Sequence, residues 1–206
     1  MQNTGFWWMI LAVAVYGALH SLLASHAAKG WAERQFGENA RRFYRLFFVV
    51  FALITSPVLL ILVLVLPDRP LYTIPMPWVL LTLSLQGLAL FGLNAAVGQT
   101  GSAAFLGLQQ ISHPVPLRSR AGPEQLATGG LYRYVRHPIY TTTFVLIWLI
   151  PVVTWNIFGL MLGFTIYTFI GTLFEERKLR EEFGEAYEAY RRKTPMVIPF
   201  IGSRRT

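Results

Sequence analysis

The sequence contains no cysteine, which excludes a disulfide scaffold, a cysteine-ligated zinc or iron–sulfur site and a cysteine nucleophile together. Charge is scarce: 14% of the 206 residues are Asp, Glu, Lys or Arg, where a soluble domain carries about 25%. No Gly-x-Gly-x-x-Gly turn follows a strand, no phosphate-binding loop is present, and no Ser–His–Asp set stands out. These absences leave no room for a soluble nucleotide-binding domain. What the chain has in quantity is apolar, 54% of its residues. Its net charge of +8 does not point to nucleic acid, because the basic residues stand between apolar runs rather than along one polar face. They read instead as positive loops beside a bilayer.

A spanning helix needs about 20 mostly apolar residues. Phe6–Ser25, Phe43–Leu66 and Pro77–Val97 are such runs, and Arg45 near the start of the second is the one charge within them. Ile139–Val153 and Ile157–Phe174 are two more, separated only by Thr154, Trp155 and Asn156. So short a link makes them an antiparallel helical hairpin with a shorter first arm. The expectation is an all-α integral membrane protein of five transmembrane helices, the last two a hairpin. Phe6–Ser25 reads as a spanning helix rather than a cleaved leader, since its basic flank follows it. All basic residues except Arg69 fall in the segments after the first, third and fifth runs. The positive-inside rule then puts the N-terminus outside and the C-terminus in the cytoplasm of a bacterial inner membrane.

Residues 1–97 would form a three-helix membrane part and residues 98–206 a second, functional part. Within the latter, Gly98–Arg136 is a long cytoplasmic connection rich in Gly and Pro, of a length usually reserved for function. Glu175–Arg192 carries Leu179, Phe183, Tyr187 and Tyr190 as one apolar stripe on a charged helix. That predicts a cytoplasmic amphipathic C-terminal helix docked on the bundle or on headgroups.

Candidate chemistry gathers where Arg136-His137-Pro138-Ile139-Tyr140 opens the fourth run. Proline suits the first turn of a helix, which places His137 at the N-cap, where unpaired N–H groups favour an anion. The plainer reading makes Arg136 a membrane anchor and His137 a simple cap. Glu175 and Glu176 emerge from the fifth run. Carboxylates next to hydrocarbon must be paired or hydrated, and the plainer reading pairs Glu176 with Arg180 one turn on. Together these groups outline one pocket for a ligand bearing both charges. His20 is an intramembrane polar residue directed into the bundle. Its six-residue spacing from His26 puts the two on different helix faces, so no metal site is expected. Trp7, Trp8, Trp31, Tyr72, Trp78 and Trp155 sit at helix ends as an interfacial belt.

The run from Thr128 to Tyr140, Thr-Gly-Gly-Leu-Tyr-Arg-Tyr-Val-Arg-His-Pro-Ile-Tyr, resembles the signature of integral-membrane methyltransferases related to isoprenylcysteine carboxyl methyltransferase. The resemblance continues through Asn156, Glu175-Glu176, Phe183-Gly184-Glu185-Ala186-Tyr187, Tyr190 and Pro195 to Ile198-Pro199-Phe200, covering roughly residues 120–201. It implies S-adenosylmethionine (SAM) as cofactor, bound from the cytoplasmic side. The implied cofactor-binding residues are Gln125, Leu126, Ala127, Tyr132, His137, Tyr140 and Glu175, with Arg136 and His137 as catalytic candidates. The eukaryotic carboxyl methyltransferases carry an arginine one turn before the glutamate pair, where this chain has Gly171. His20–Ser25, Phe105–Gln110 and Phe174–Arg177 are closer to bacterial methanethiol S-methyltransferases. Those enzymes, however, carry a polar Asn-His-Phe-Asp stretch before the Phe-Leu-Gly element, and this chain reads Gln99-Thr100-Gly101-Ser102-Ala103-Ala104 there instead.

The expected activity is therefore methyl transfer from SAM to a small or lipophilic nucleophile, with a thiol favoured. The alternatives are a prenylcysteine-type carboxylate or a phospholipid amine. Two other classes compete: an NADPH-dependent sterol-type reductase, normally longer, and a non-catalytic membrane component. A reporter fused after Thr206 is expected to read cytoplasmic; an external signal overturns the charge-sorted layout.

Overall fold

A computed structural model describes residues 4–117 and 126–199. The structure is mostly helical. Its elements are α1 (Phe6–Ala24), α2 (His26–Phe36), α3 (Glu38–Val65), β1 (Pro70–Thr73), α4 (Trp78–Gln99), α5 (Ser102–Leu106), α6 (Gln109–Ser112), a 3-10 turn (Gly130–Arg133), α7 (Pro138–Trp148), β2 (Val152–Thr154) and α8 (Trp155–Lys193). Among the described residues, α1, α3, α4 and α8 are long and apolar enough to cross a membrane. Their large side chains remain outward, as in Leu64 at 83% and Phe91 at 75% exposure. Apolar surface on that scale requires hydrocarbon around it.

The fourth expected run, Ile139–Val153, becomes a helix of only 11 residues, Pro138–Trp148. At 1.5 Å per residue it covers about 16 Å, roughly half the hydrocarbon core. Pro151 explains the early stop, because it lacks a donor and biases Ile150 away from helical backbone. Val152–Thr154 then pairs as a strand with β1, and the Ile74 N–H donates to the Pro151 carbonyl at 2.8 Å.

The chain forms two compact units, one of Met1–Pro70, Thr100–Glu124 and Thr154–Tyr167, the other of Leu71–Gln99, Gln125–Val153 and Thr168–Thr206. In the first, α2 is an element the basic flank after α1 concealed. The Ser25 hydroxyl caps it, accepting from the Ala28 N–H at 3.1 Å, and Gly37 at φ 53° ends it. Ala32, Ala40, Leu117 and Tyr44 pack together there. At the other end of the same unit, the fully buried Asn156 directs its side-chain amide to the carbonyls of Val63, Leu66 and Pro67 at 3.2–3.4 Å. Its own N–H donates to Asp68 Oδ1 at 3.1 Å. The clasp gives a partner to the Val63 carbonyl in the last turn of α3 and to the Leu66 carbonyl at its C-cap, where helix carbonyls lack intrahelical donors.

In the second unit α4 runs beside α7. Gln86 Nε2 donates to the Leu146 carbonyl at 2.7 Å, and a Cβ on Gly92 would come within 3.1 Å of Thr142. Gln99 at the end of α4 accepts from the Leu131 N–H at 3.2 Å, which ties the 3-10 turn to α4.

Small residues let helices approach where hydrophobic driving force between them is weak. In the first unit a Cβ on Gly159 would stand 2.9 Å from the Phe6 carbonyl and 3.1 Å from Met9 Cβ. Gly159→Leu is expected to destabilise the detergent-solubilised protein by about 1–3 kcal/mol, the usual range for overpacking. Thermal unfolding measures it; an unchanged midpoint would exclude this close α1–α8 approach.

Candidate functional site

Arg136, His137, Tyr140, Glu175 and Glu176 all belong to the second unit, and the structure gathers them. Pro138 occupies the first turn of α7 and His137 its N-cap. The His137 side chain makes no capping hydrogen bond, so it is not the simple cap of the plainer reading. Instead the segment after α8 closes this helix end: the N–H groups of Arg136 and His137 donate to the carbonyls of Pro195 and Met196 at 2.9 and 3.0 Å. The Thr141 hydroxyl donates to the Val197 carbonyl at 2.6 Å.

Glu176 is the centre of the cluster. It is 4% exposed and lies just past the apolar stretch 157–174, in the charged continuation of α8. Arg136 holds it in a two-pronged pair, Nε to Oε1 and Nη2 to Oε2, both at 2.8 Å. Arg136 Nη1 also donates to the Thr194 carbonyl at 2.5 Å. His137 Nε2 lies 2.8 Å from Glu176 Oε1, and the Tyr187 hydroxyl donates to the same oxygen at 2.5 Å. Arg136 is thus the cation bonded to the buried carboxylate, with Arg191 Nε farther off at 3.9 Å, whereas Arg180 lies 3.3 Å from Glu188.

Tyr187 reaches Glu176 only because α8 is interrupted. Eleven residues of straight helix span about 16 Å, far beyond a tyrosine's reach back along its own face. Gly184, at φ 51° and ψ −127°, adopts a backbone that only glycine takes without strain, and this break turns the C-terminal part of α8. The same turn lets the Tyr190 hydroxyl donate to the Tyr132 carbonyl at 2.6 Å.

Glu175 is different. Successive residues on a helix point about 100° apart, and its side chain is 43% exposed. The Tyr140 hydroxyl donates to its Oε2 at 2.9 Å, and His137 Nδ1 lies 3.6 Å from that oxygen. The Tyr140 and His137 rings are stacked, centroids 5.4 Å apart at 13°. Leu126 and Ala127 lie half-buried in irregular chain before Gly129, Tyr132 lies half-buried in the 3-10 turn, and Gln125 falls outside the described residues. His20 belongs to the first unit, where it stacks on Tyr16 and lies 4.3 Å from the Phe48 ring centroid. No metal-binding group occurs among the described residues.

Tyr187, Tyr190, Thr194 and the carbonyls of 195–197 escaped the sequence reading as parts of this cluster. One signal was available: a buried stripe that uses tyrosine where leucine would pack equally well implies partners for its hydroxyls.

Burial alone would raise the Glu176 pKa. The hydrogen bonds from His137, Arg136 and Tyr187 and the Arg136 charge outweigh it and hold the carboxyl down at about 2. Burial and the adjacent carboxylate push the Tyr187 hydroxyl up, so it stays a donor.

Three comparisons with known proteins bear on this geometry. Residues 85–186 match the family described as phospholipid methyltransferase. Methanethiol S-methyltransferase 1 of Bradyrhizobium diazoefficiens is 30% identical over 198 residues, covering 93% of this chain and 66% of that protein. Methanethiol S-methyltransferase of Crocosphaera subtropica is 40% identical over 82 residues, 40% of this chain and 32% of that protein. Protein-S-isoprenylcysteine O-methyltransferase of Schizosaccharomyces pombe is 35% identical over 104 residues, 45% of this chain and 40% of that protein. The chain therefore spans between about a third and two thirds of the length of these relatives. No solved structure matches it.

Removing Glu176 leaves a buried guanidinium uncompensated, an imbalance that costs about 3–5 kcal/mol. Glu176→Ala is expected to lower the unfolding midpoint accordingly. A carboxyl with a depressed folded pKa stabilises fully above its unfolded value near ~4.3 and loses that contribution as pH falls toward the folded value. The wild-type midpoint should thus hold from neutral pH to about 5 and fall below 4, a slope Glu176→Gln should flatten. Equal acid sensitivity in both would remove Glu176 as the cause.

Proposed function

The chain carries a domain of the phospholipid methyltransferase family, and we propose that it is a SAM-dependent membrane methyltransferase acting on a small thiol. The observation that carries this reading is the division of labour between adjacent carboxylates, one locked by Arg136 and one half-exposed beside Tyr140 and His137. The donor set fits SAM. Glu175 is a half-exposed carboxylate suited to an ammonium or to ribose hydroxyls, and among the described residues nothing comes within 4 Å of a Cβ on Gly129, leaving room beside the 3-10 turn. Gln125, Leu126, Ala127, Tyr132, His137, Tyr140 and Glu175 would line the cofactor, with Arg136 and His137 next to the chemistry.

Bound there, SAM would supply an electrophilic methyl carbon on a sulfonium. The protein's share is orientation and exclusion of water, which together lower the barrier of a displacement between two held reactants. Tyr140 fixes the Glu175 carboxylate by its hydroxyl, and the stacked His137 ring fixes Tyr140. Among acceptors, a thiol is favoured over a carboxylate. Gly171 brings no cation to the position where carboxyl methyltransferases place an arginine, and it has only open space at its Cβ. The names of the bacterial relatives point the same way. The layout that goes with this reading has five membrane segments, α7 being a short arm paired with α8 in a hairpin, and a cytoplasmic site.

Calorimetry on purified protein tests the cofactor. SAM and its demethylated product should bind with micromolar affinity and NADPH should not. Glu175→Ala should weaken SAM at least about tenfold, ~1.4 kcal/mol, with an unchanged unfolding midpoint. Binding of NADPH alone would turn the reading to a reductase, and binding of no ligand to a cofactor-free membrane protein. Under the proposed reading, purified protein with SAM should methylate methanethiol and leave prenylcysteine untouched.

A further inference from the structure

Resting on the thiol reading above, we propose that His137 is the proton acceptor for the thiol, its Nδ1 being the basic atom, and that Glu176 and Tyr187 are the residues that position it.

An ionised carboxylate only accepts. Oε1 of Glu176 receives the Arg136 Nε–H and the Tyr187 O–H, so the His137 nitrogen 2.8 Å away must face it as a donor. A neutral imidazole carries one N–H. With that proton fixed on Nε2, the lone pair lies on Nδ1. Nδ1 is directed to the side of Glu175 and Tyr140, with Glu175 Oε2 at 3.6 Å, outside hydrogen-bond range. The base therefore points at the half-exposed carboxylate proposed to hold the cofactor, and its back is held by the buried one. The second ring nitrogen of a histidine is commonly set by such a partner.

A thiol needs a base of this kind. Free thiols have a pKa near ~8.5, and the thiolate is the nucleophile. In the step proposed, the S–H bond breaks and its proton passes to His137 Nδ1. The sulfur electron pair forms a new bond to the methyl carbon of the sulfonium donor. The bond from that carbon to the donor sulfur breaks, and its electron pair stays on the donor as a neutral thioether. The imidazolium then returns its proton to water. Thiol and sulfonium become two thioethers and one proton, and no further reactant is needed. Groups facing the imidazole are Glu176 and Glu175 from α8, Tyr140 from α7, Arg136 beside it in the chain, and Tyr187 through Glu176. The Glu176 charge is already paired with Arg136, and Arg191 Nε lies 3.9 Å from its Oε2; Glu175 is the carboxylate on the Nδ1 side.

Two measurements test this on the full chain in detergent. The first is nitrogen NMR of protein labelled in histidine, without methyl donor, with His137→Gln identifying the His137 signal. The expected pattern is a protonated Nε2 and a bare Nδ1. Tyr187→Phe, which keeps the Arg136–Glu176 pair and the accepting Oε1, should leave this tautomer in place, whereas Glu176→Gln, whose amide can also donate, should admit the other one. The second compares alkanethiols with aryl thiols already ionised at neutral pH. His137→Gln should slow alkanethiol methylation by about 10²–10³-fold, within the range of general-base catalysis, and aryl thiol methylation by less than about tenfold. A proton on Nδ1 in the wild type, or equal losses for both thiol classes, overturns the base assignment while thiol methylation stands. The expected tautomer with no thiol of either class methylated overturns the thiol acceptor, and the proton-acceptor role falls with it.

Discussion

The buried pair of Arg136 and Glu176 is the constraint on which the second unit depends. Neither ion could stay charged alone so far from water, because the desolvation penalty of each is several kcal/mol. Two parallel hydrogen bonds at 2.8 Å offset that penalty and fix both planes. Through this contact the start of α7 and the charged part of α8 are tied together, and Arg136 extends the tie to the Thr194 carbonyl. The backbone of 195–197 then closes the same helix end, so three stretches distant in sequence share one joint.

The consequence for chemistry follows from helix geometry. Glu175 and Glu176 are neighbours in the chain but about 100° apart around the axis. One is consumed by the joint and the other is left half-exposed above it. His137 and Tyr140 sit on the boundary, each bonded to one carboxylate. A buried and a half-exposed carboxylate are thus separated by a single residue step, and the histidine lies between them.

Much of the fold was legible from hydropathy. The four long apolar runs, the shortened run ending near Pro151 and the charged helix after Phe174 all follow from residue type and length, since a bilayer demands internally bonded backbone. The candidate site was legible in its members: Arg136, His137, Tyr140 and the glutamate pair. α2 was not, because its helix signal, Ser25 before a run of good helix formers, coincides with the basic flank that follows α1. The partner of Glu176 was missed for a different reason. Local spacing offered Arg180 one turn away, and the actual cation lies 40 positions upstream, a distance no periodicity reports.

Taken alone, the sequence determined that this chain needs a bilayer, where its apolar segments lie and which polar residues gather at their ends, because those properties are local and set by transfer energy. Tertiary structure decided which carboxylate is buried and which is half-exposed, and which histidine nitrogen faces each of them. Arg136 from 40 positions upstream and the bend at Gly184, which brings Tyr187 back to Glu176, complete the buried side, and only a folded chain can bring together groups so far apart along its length.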